Sequence, residues 1–231
     1  MAEEFRERDL SDARFVECDL SRVRMRGVEV SGMDIDAPWL WEGDGLFVNG
    51  VDVTAYVEQE LDRLFPGRAQ RRATDPAGLR QAWRSVEDAW EAAIARATTL
   101  PAGSADEQVD GEWSFAETMR HLVHATDIWL GKGVLGWETS TFHPLGLGYG
   151  RQATDTPPHA DVLAARADRV AMVRDFLATV TPEQLDEERP NPHNPERAET
   201  VRKCLQVVME ESWEHLRFAL RDLDTIESRA S

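Results

Sequence analysis

The chain has 231 residues, 42% hydrophobic and 30% charged, which is the make-up of a globular protein long enough to bury a substantial core. Its 26 basic and 43 acidic side chains leave a net charge of −17, which argues against a general nucleic-acid or anionic-membrane binder, since both need a basic face. No apolar run approaches the roughly 18 residues of a membrane span, the charged start lacks the apolar core of a signal peptide, and Cys18 and Cys204 match no metal or redox spacing, so a cytoplasmic location is expected.

Residues 5–36 repeat every five positions, with Phe5, Leu10, Phe15, Leu20, Met25, Val30 and Ile35 as the apolar sites. Ala13, Cys18, Val23, Val28 and Met33 stand two residues before several of them. A period of five fits neither a helix nor an alternating strand. It fits a square coil with two inward residues per side, and the segment resembles the pentapeptide-repeat family, whose coils form a right-handed β-helix. Residues 1–36 are too few for a solenoid that stands alone. An irregular amphipathic segment is the alternative. Residues 37–53 hold Trp39, Trp41 and the turn signals Asp44-Gly45 and Asn49-Gly50, and predict an extended or hairpin connector whose tryptophans dock onto the main domain.

From residue 54 the pattern is helical, and residues 54–231 read as one domain. Thr54 to Phe65 places Val57, Leu61, Leu64 and Phe65 on one face, with Pro66-Gly67 as the stop. Asp75-Pro76 caps a long helix carrying Leu79, Trp83, Val86, Trp90 and Ile94. Ser114 and Glu117 form a capping box for a helix expected to run to about Leu135. Residues 136–158 read as a long loop of the kind that carries binding residues. A helix follows over about 160–180, then a helical turn at Thr181-Pro182, a Pro-rich loop at 188–197, and a last helix from about Glu199 to Glu227. Four long helices predict a mainly α protein built as a four-helix bundle.

Glu211 and His215 stand one turn apart on the last helix, so their side chains leave one face. One imidazole from a facing helix, His121, would complete a three-donor cup that leaves a coordination position open. The plain alternative is an i,i+4 pair on a half-exposed face beside Glu210 and Glu214. Glu117 could orient His121, although its place in the capping box explains it as well. His124 and His143 are weak catalytic candidates, one near the His121 stripe and one in the long loop. His159 and His193 fall in Pro-rich loops and read as solvated. Neither cysteine has an activating partner in sequence, and Trp129 and Trp213 read as core.

Two runs carry a second resemblance: Trp113-Ser-Phe-Ala-Glu117-x3-His121-Leu-Val, and Cys204-Leu-x-Val-Val-x-Glu-Glu211-x-Trp-Glu-His215 followed by Arg221-Asp222-Leu. Over about residues 75–225 the chain looks like the DinB family. The resemblance implies a four-helix bundle with a divalent-metal site. The common ligand pattern there is one histidine on the second helix and His-x3-His on the last. Glu211 departs from it, and the resulting His/Glu/His set is similar to the mycothiol-dependent branch, which includes maleylpyruvate isomerase-like and mycothiol S-transferase-like proteins. The expected ligands are therefore His121, Glu211 and His215, and the expected metal is zinc, with nickel or iron as alternatives. The implied activity is attack of a low-molecular-weight thiol such as mycothiol, or of water, on a small electrophile. No cofactor beyond the metal is implied, the partner is a small-molecule substrate, and a homodimer is compatible with the family. Two other readings stand beside it: a non-catalytic, stress-associated metal-binding bundle, and an interaction module that uses the pentapeptide segment. Residues 1–36 hold ten acidic and six basic side chains, so most of the charge lies elsewhere.

Overall fold

A computed structural model describes residues 4–16, 18–150 and 153–230. The chain forms two compact units, Met1–Ala37 and Pro38–Ser231.

In the first unit the five-residue period of the sequence has a backbone counterpart. Positive φ angles fall at Glu7, Asp12, Arg22, Gly27 and Gly32. The turns close through Ala13 N–H to Leu10 O, Val23 N–H to Leu20 O and Met33 N–H to Val30 O, each 3.1 Å. Asp9 and Asp19 fix two of these turns by accepting the backbone N–H of Ser11 and Ser21 at 3.0 and 2.8 Å. No strand forms among the described residues of this unit. The every-fifth apolar side chains from Phe5 to Ile35 stay 47–60% exposed. So short a run of repeats lacks the stacked neighbours that would enclose them.

The second unit opens with a 3₁₀ turn, Leu40–Glu42, and a hairpin of β1 (Phe47–Val48) and β2 (Val51–Asp52). Asn49 and Gly50 both take positive φ, the conformation a two-residue hairpin turn needs. Of the two tryptophans expected to dock, Trp41 does so, with Lys203 and Arg72 over its ring at 5.2 and 5.6 Å. Trp39 remains 43% exposed.

Helix α1 (Thr54–Leu64) buries no residue fully, and Leu64, expected on its apolar face, is exposed. Charge holds this helix instead. Arg68 and Arg71, on the 3₁₀ turn Arg68–Arg72, are buried and reach Glu58 and Asp62 of α1. Arg68 also reaches Glu214 on the last helix at 3.0 Å. Gly67 makes the turn possible: its φ is +97°, and a Cβ there would stand 2.7 Å from Ser85 Cβ.

The bundle consists of α2 (Pro76–Thr98), α3 (Phe115–Thr126), α4 (His159–Thr179) and α6 (Val201–Ala230). Helix α2 lies against α4 and α6, and α3 lies against the same two, so α2 and α3 occupy opposite corners. The starts of α2, α3 and α6 each have a side-chain cap. Asp75 accepts from Ala77 N and Gly78 N at 3.0 Å ahead of Pro76. Ser114 and Glu117 exchange the two bonds of a capping box. Thr200 Oγ1 accepts from Lys203 N at the head of α6. The interior joins Trp83, Met119, Leu122, Val162, Val173, Leu205, Met209 and Leu216.

Two expectations are corrected. The helix through His121 does not continue to Leu135 as regular α-helix: beyond Thr126 it widens into a π-helical turn, Asp127–Lys132. Asp127 there is fully buried and spends its carboxylate on the Arg169 Nε–H, 2.5 Å, and the His143 N–H, 2.8 Å. The stretch 188–197 is not all loop. Strands β3 (Glu188–Pro190) and β4 (Ala198–Thr200) pair antiparallel across it. Asn191 turns the chain between them by accepting the N–H groups of His193 and Asn194. The turn at Pro182–Leu185, α5, forms as expected, with Thr181 and Gln184 as its capping box. Among the described residues no helix is long and apolar enough to cross a membrane.

Candidate metal centre

Helices α3 and α6 pack side by side and bring His121, Glu211 and His215 together. One ligand-type atom from each lies within 4.8 Å of the other two. His121 Nε2 stands 3.4 Å from Glu211 Oε2, and the two imidazoles stack with centroids 4.5 Å apart.

The backbone fixes both histidine tautomers. His121 Nδ1 lies 3.1 Å from the carbonyl of Leu147, and His215 Nδ1 lies 2.8 Å from the carbonyl of Glu211. A carbonyl only accepts, so each Nδ1 carries the proton and each Nε2 keeps its lone pair. Burial, reinforced by the neighbouring His121, pushes the His215 pKa down to about 4, so this imidazole is neutral at pH 7. Burial works against the charge of Glu211, but the neighbouring His121 and His215 outweigh it and hold the carboxyl below its ordinary pKa. The donor set is two imidazole nitrogens and one carboxylate, which suits a divalent cation such as zinc and supplies one compensating charge.

The walls are aromatic. Trp113 lies against His121 at 4.7 Å and His215 at 6.2 Å, Tyr149 meets Trp113 edge-on at 6.5 Å, and Phe218 stands edge-on to His215 at 5.7 Å. The long loop is clasped to α3 beside the triad. Leu147 N–H donates to Arg120 O, and Arg120 in turn donates to Leu145 O, Asp155 O and Asp155 Oδ1. Clefts of about 270 and 200 Å³ open near Lys132 and Arg189 and near Glu117 and Arg120, and no triad residue lines either.

Glu117 serves the capping box and accepts from Gln108 Nε2, so the Leu147 carbonyl, not Glu117, orients His121. His124 faces Phe142, at 5.8 Å. His143 turns its ring into its own loop, where Nδ1 accepts the Leu145 N–H. Neither is part of the converging donor set. His159, expected in solvent, is half-buried and lies 6.5 Å from the Phe115 ring. His193 is exposed as expected, yet the β3–β4 hairpin holds it against Trp129 at 5.2 Å. Burial pushes the Cys204 thiol up to about 12, consistent with the reading that it is no nucleophile. Sequence reasoning missed Asp127, Arg169 and Arg120, whose partners lie 16 to 42 positions away. Charged residues at buried helix positions were the one available signal.

Fold and site together define a four-helix bundle with a His/Glu/His donor set between its second and fourth long helices. A sequence model described as the DinB superfamily matches residues 85–219, more than half of the chain, and the protein belongs to that superfamily. Membership suggests a metal-binding helical domain. No curated protein and no solved structure matches the chain.

Proposed function

We propose that the protein is a divalent-metal-dependent enzyme of the DinB type, with His121, Glu211 and His215 as the ligands and zinc as the metal. The observation that carries this reading is the convergence of three donors whose protonation states already suit a cation. A divalent cation held there supplies Lewis acidity, which lowers the pKa of a thiol or water placed against it. The chain's own groups do the rest. The Leu147 and Glu211 carbonyls keep both Nε2 lone pairs facing inward, and the Trp113 ring covers the imidazoles and excludes water from that side.

The reaction we propose is attack of a low-molecular-weight thiol, mycothiol-like, or of water, on a small electrophile. The carboxylate in the His/Glu/His set is what favours the thiol branch within the superfamily. His124, on α3, and His143, in the long loop, remain the candidates for proton transfer. We further propose a cytoplasmic protein with a small-molecule substrate, the division 1–36, 37–53 and 54–231, and a pentapeptide-repeat character for the first of these. The five-residue spacing of positive φ supports the last point. The test is a screen of thiol consumption with maleimide-type and epoxide electrophiles, using zinc-loaded protein and Glu211→Gln. Turnover in the parent and its loss in the variant is expected. Metal-loaded protein that consumes no thiol and hydrolyses no electrophile would reject the catalytic reading.

A further inference from the structure

The two ring nitrogens of His121 face different acceptors. The Leu147 carbonyl lies 3.1 Å from Nδ1, and Glu211 Oε2 lies 3.4 Å from Nε2. A neutral imidazole has one ring proton, so it can serve only one of them. At equal geometry the carboxylate is the stronger acceptor, because a hydrogen bond to a charged oxygen exceeds one to a neutral carbonyl. A proton on Nε2 would occupy the lone pair that a cation needs. The proton stays on Nδ1 only while the Leu147 carbonyl is held against it.

The residue that holds it is the neighbour of His121 in the chain. Arg120 is 5% exposed. Its carbonyl accepts the Leu147 N–H at 3.1 Å. Its guanidinium donates to Leu145 O at 2.9 Å, Asp155 O at 3.1 Å and Asp155 Oδ1 at 3.0 Å. Both ends of 145–155 are thus tied to one side chain, with Leu147 between them. Gly146 allows the close approach: a Cβ there would stand 3.3 Å from His124 Cβ and 3.1 Å from His143 O. We propose that Arg120 is a positioning residue for the metal centre: by clamping 145–155 it keeps the Leu147 carbonyl on His121 Nδ1 and leaves Nε2 for the cation. Without the clamp the loop lifts, the ring proton passes to Nε2 and bonds Glu211, and two of the three donors are spent on each other. The change is one of tautomer, with no proton gained or lost. Its effect on a cation rests on the metal reading proposed above, whereas the tautomer itself does not.

Two-bond proton–nitrogen correlation spectra of the metal-free full chain, at a mildly alkaline pH where imidazole is neutral, read the tautomer, with His121→Ala assigning the signals. The parent should show His121 protonated at Nδ1. Arg120→Met, its helical content checked by circular dichroism, should show it protonated at Nε2 and bind zinc about 10–100-fold more weakly in chelator competition. Arg120→Lys, which puts one ammonium where a planar fork was, should fall between the two. Asp155→Ala, at a side chain 60% exposed, should shift the tautomer the same way by less, and it decides if Arg120→Met does not fold. A His121 proton that stays on Nδ1 in these variants would overturn the proposal even if zinc bound more weakly, since that loss would then be merely structural. Zinc affinity within about twofold of the parent would overturn it as well. A parent that binds no zinc would sink the metal reading instead, and the tautomer comparison would still decide the role of Arg120.

Discussion

His215 is the residue on which the metal reading is most exposed to test, because its environment favours the neutral ring. Its folded pKa, about 4, lies below the ordinary 6.5. Between those values the unfolded chain binds a proton that the folded chain does not, so stability rises with pH across that window. Metal-free protein should therefore lose stability as pH falls from 6.5 towards 4, by up to about 3 kcal/mol from this group. Glu211 acts in a lower window, since its depressed pKa makes its contribution vanish only below the ordinary carboxyl value. Urea titrations at pH 7 and pH 5 should show the loss in the metal-free parent and a smaller one in His215→Gln. An equal slope in both would show that His215 is not the group responsible. The i,i+4 pair and the third imidazole are legible in sequence because helical spacing fixes which side chains share a face. The carbonyls of Leu147 and Glu211 that set the tautomers are not, because backbone acceptors leave no mark on residue identity.

At the scale of elements, α2 and α3 begin where their caps predict, and the errors lie where charge replaces apolar packing. In sequence, helix α1 is marked by Val57, Leu61, Leu64 and Phe65, yet it is fastened by Glu58 and Asp62 to Arg68 and Arg71. Arg68→Ala would leave Glu58 and Glu214 short of their buried partner, so a loss of about 3–5 kcal/mol is expected in urea unfolding. A loss under about 1 kcal/mol would mean that the network behaves as an exposed one. The π-helical turn is equally hidden, since the contacts of Asp127 at its start, to Arg169 and the His143 N–H, are tertiary. Asp127→Ala should loosen the loop over 142–149, read as faster amide hydrogen exchange there with little change in α2. Unchanged exchange in that loop would count against Asp127 as its anchor.

For the whole molecule, one unit holds the candidate metal centre. All three donors lie in Pro38–Ser231, and the superfamily match falls within it. Residues 38–231 expressed alone should keep the metal stoichiometry of the full chain, measured by elemental analysis. A shortened chain that folds but no longer holds metal would show that the first unit contributes to the site. The first unit is legible as a period of five and no further, because its every-fifth apolar side chains stay largely exposed and their partners are not set by spacing alone. The central claim is that His121, Glu211 and His215 hold a divalent cation. Its most direct test is elemental analysis of the purified full chain without a histidine tag, beside His121→Ala and His215→Ala. The account predicts close to one zinc, nickel or iron per chain in the parent and near none in either variant. A parent that stays metal-free after incubation with divalent ions, or variants that bind as much as the parent, would contradict it.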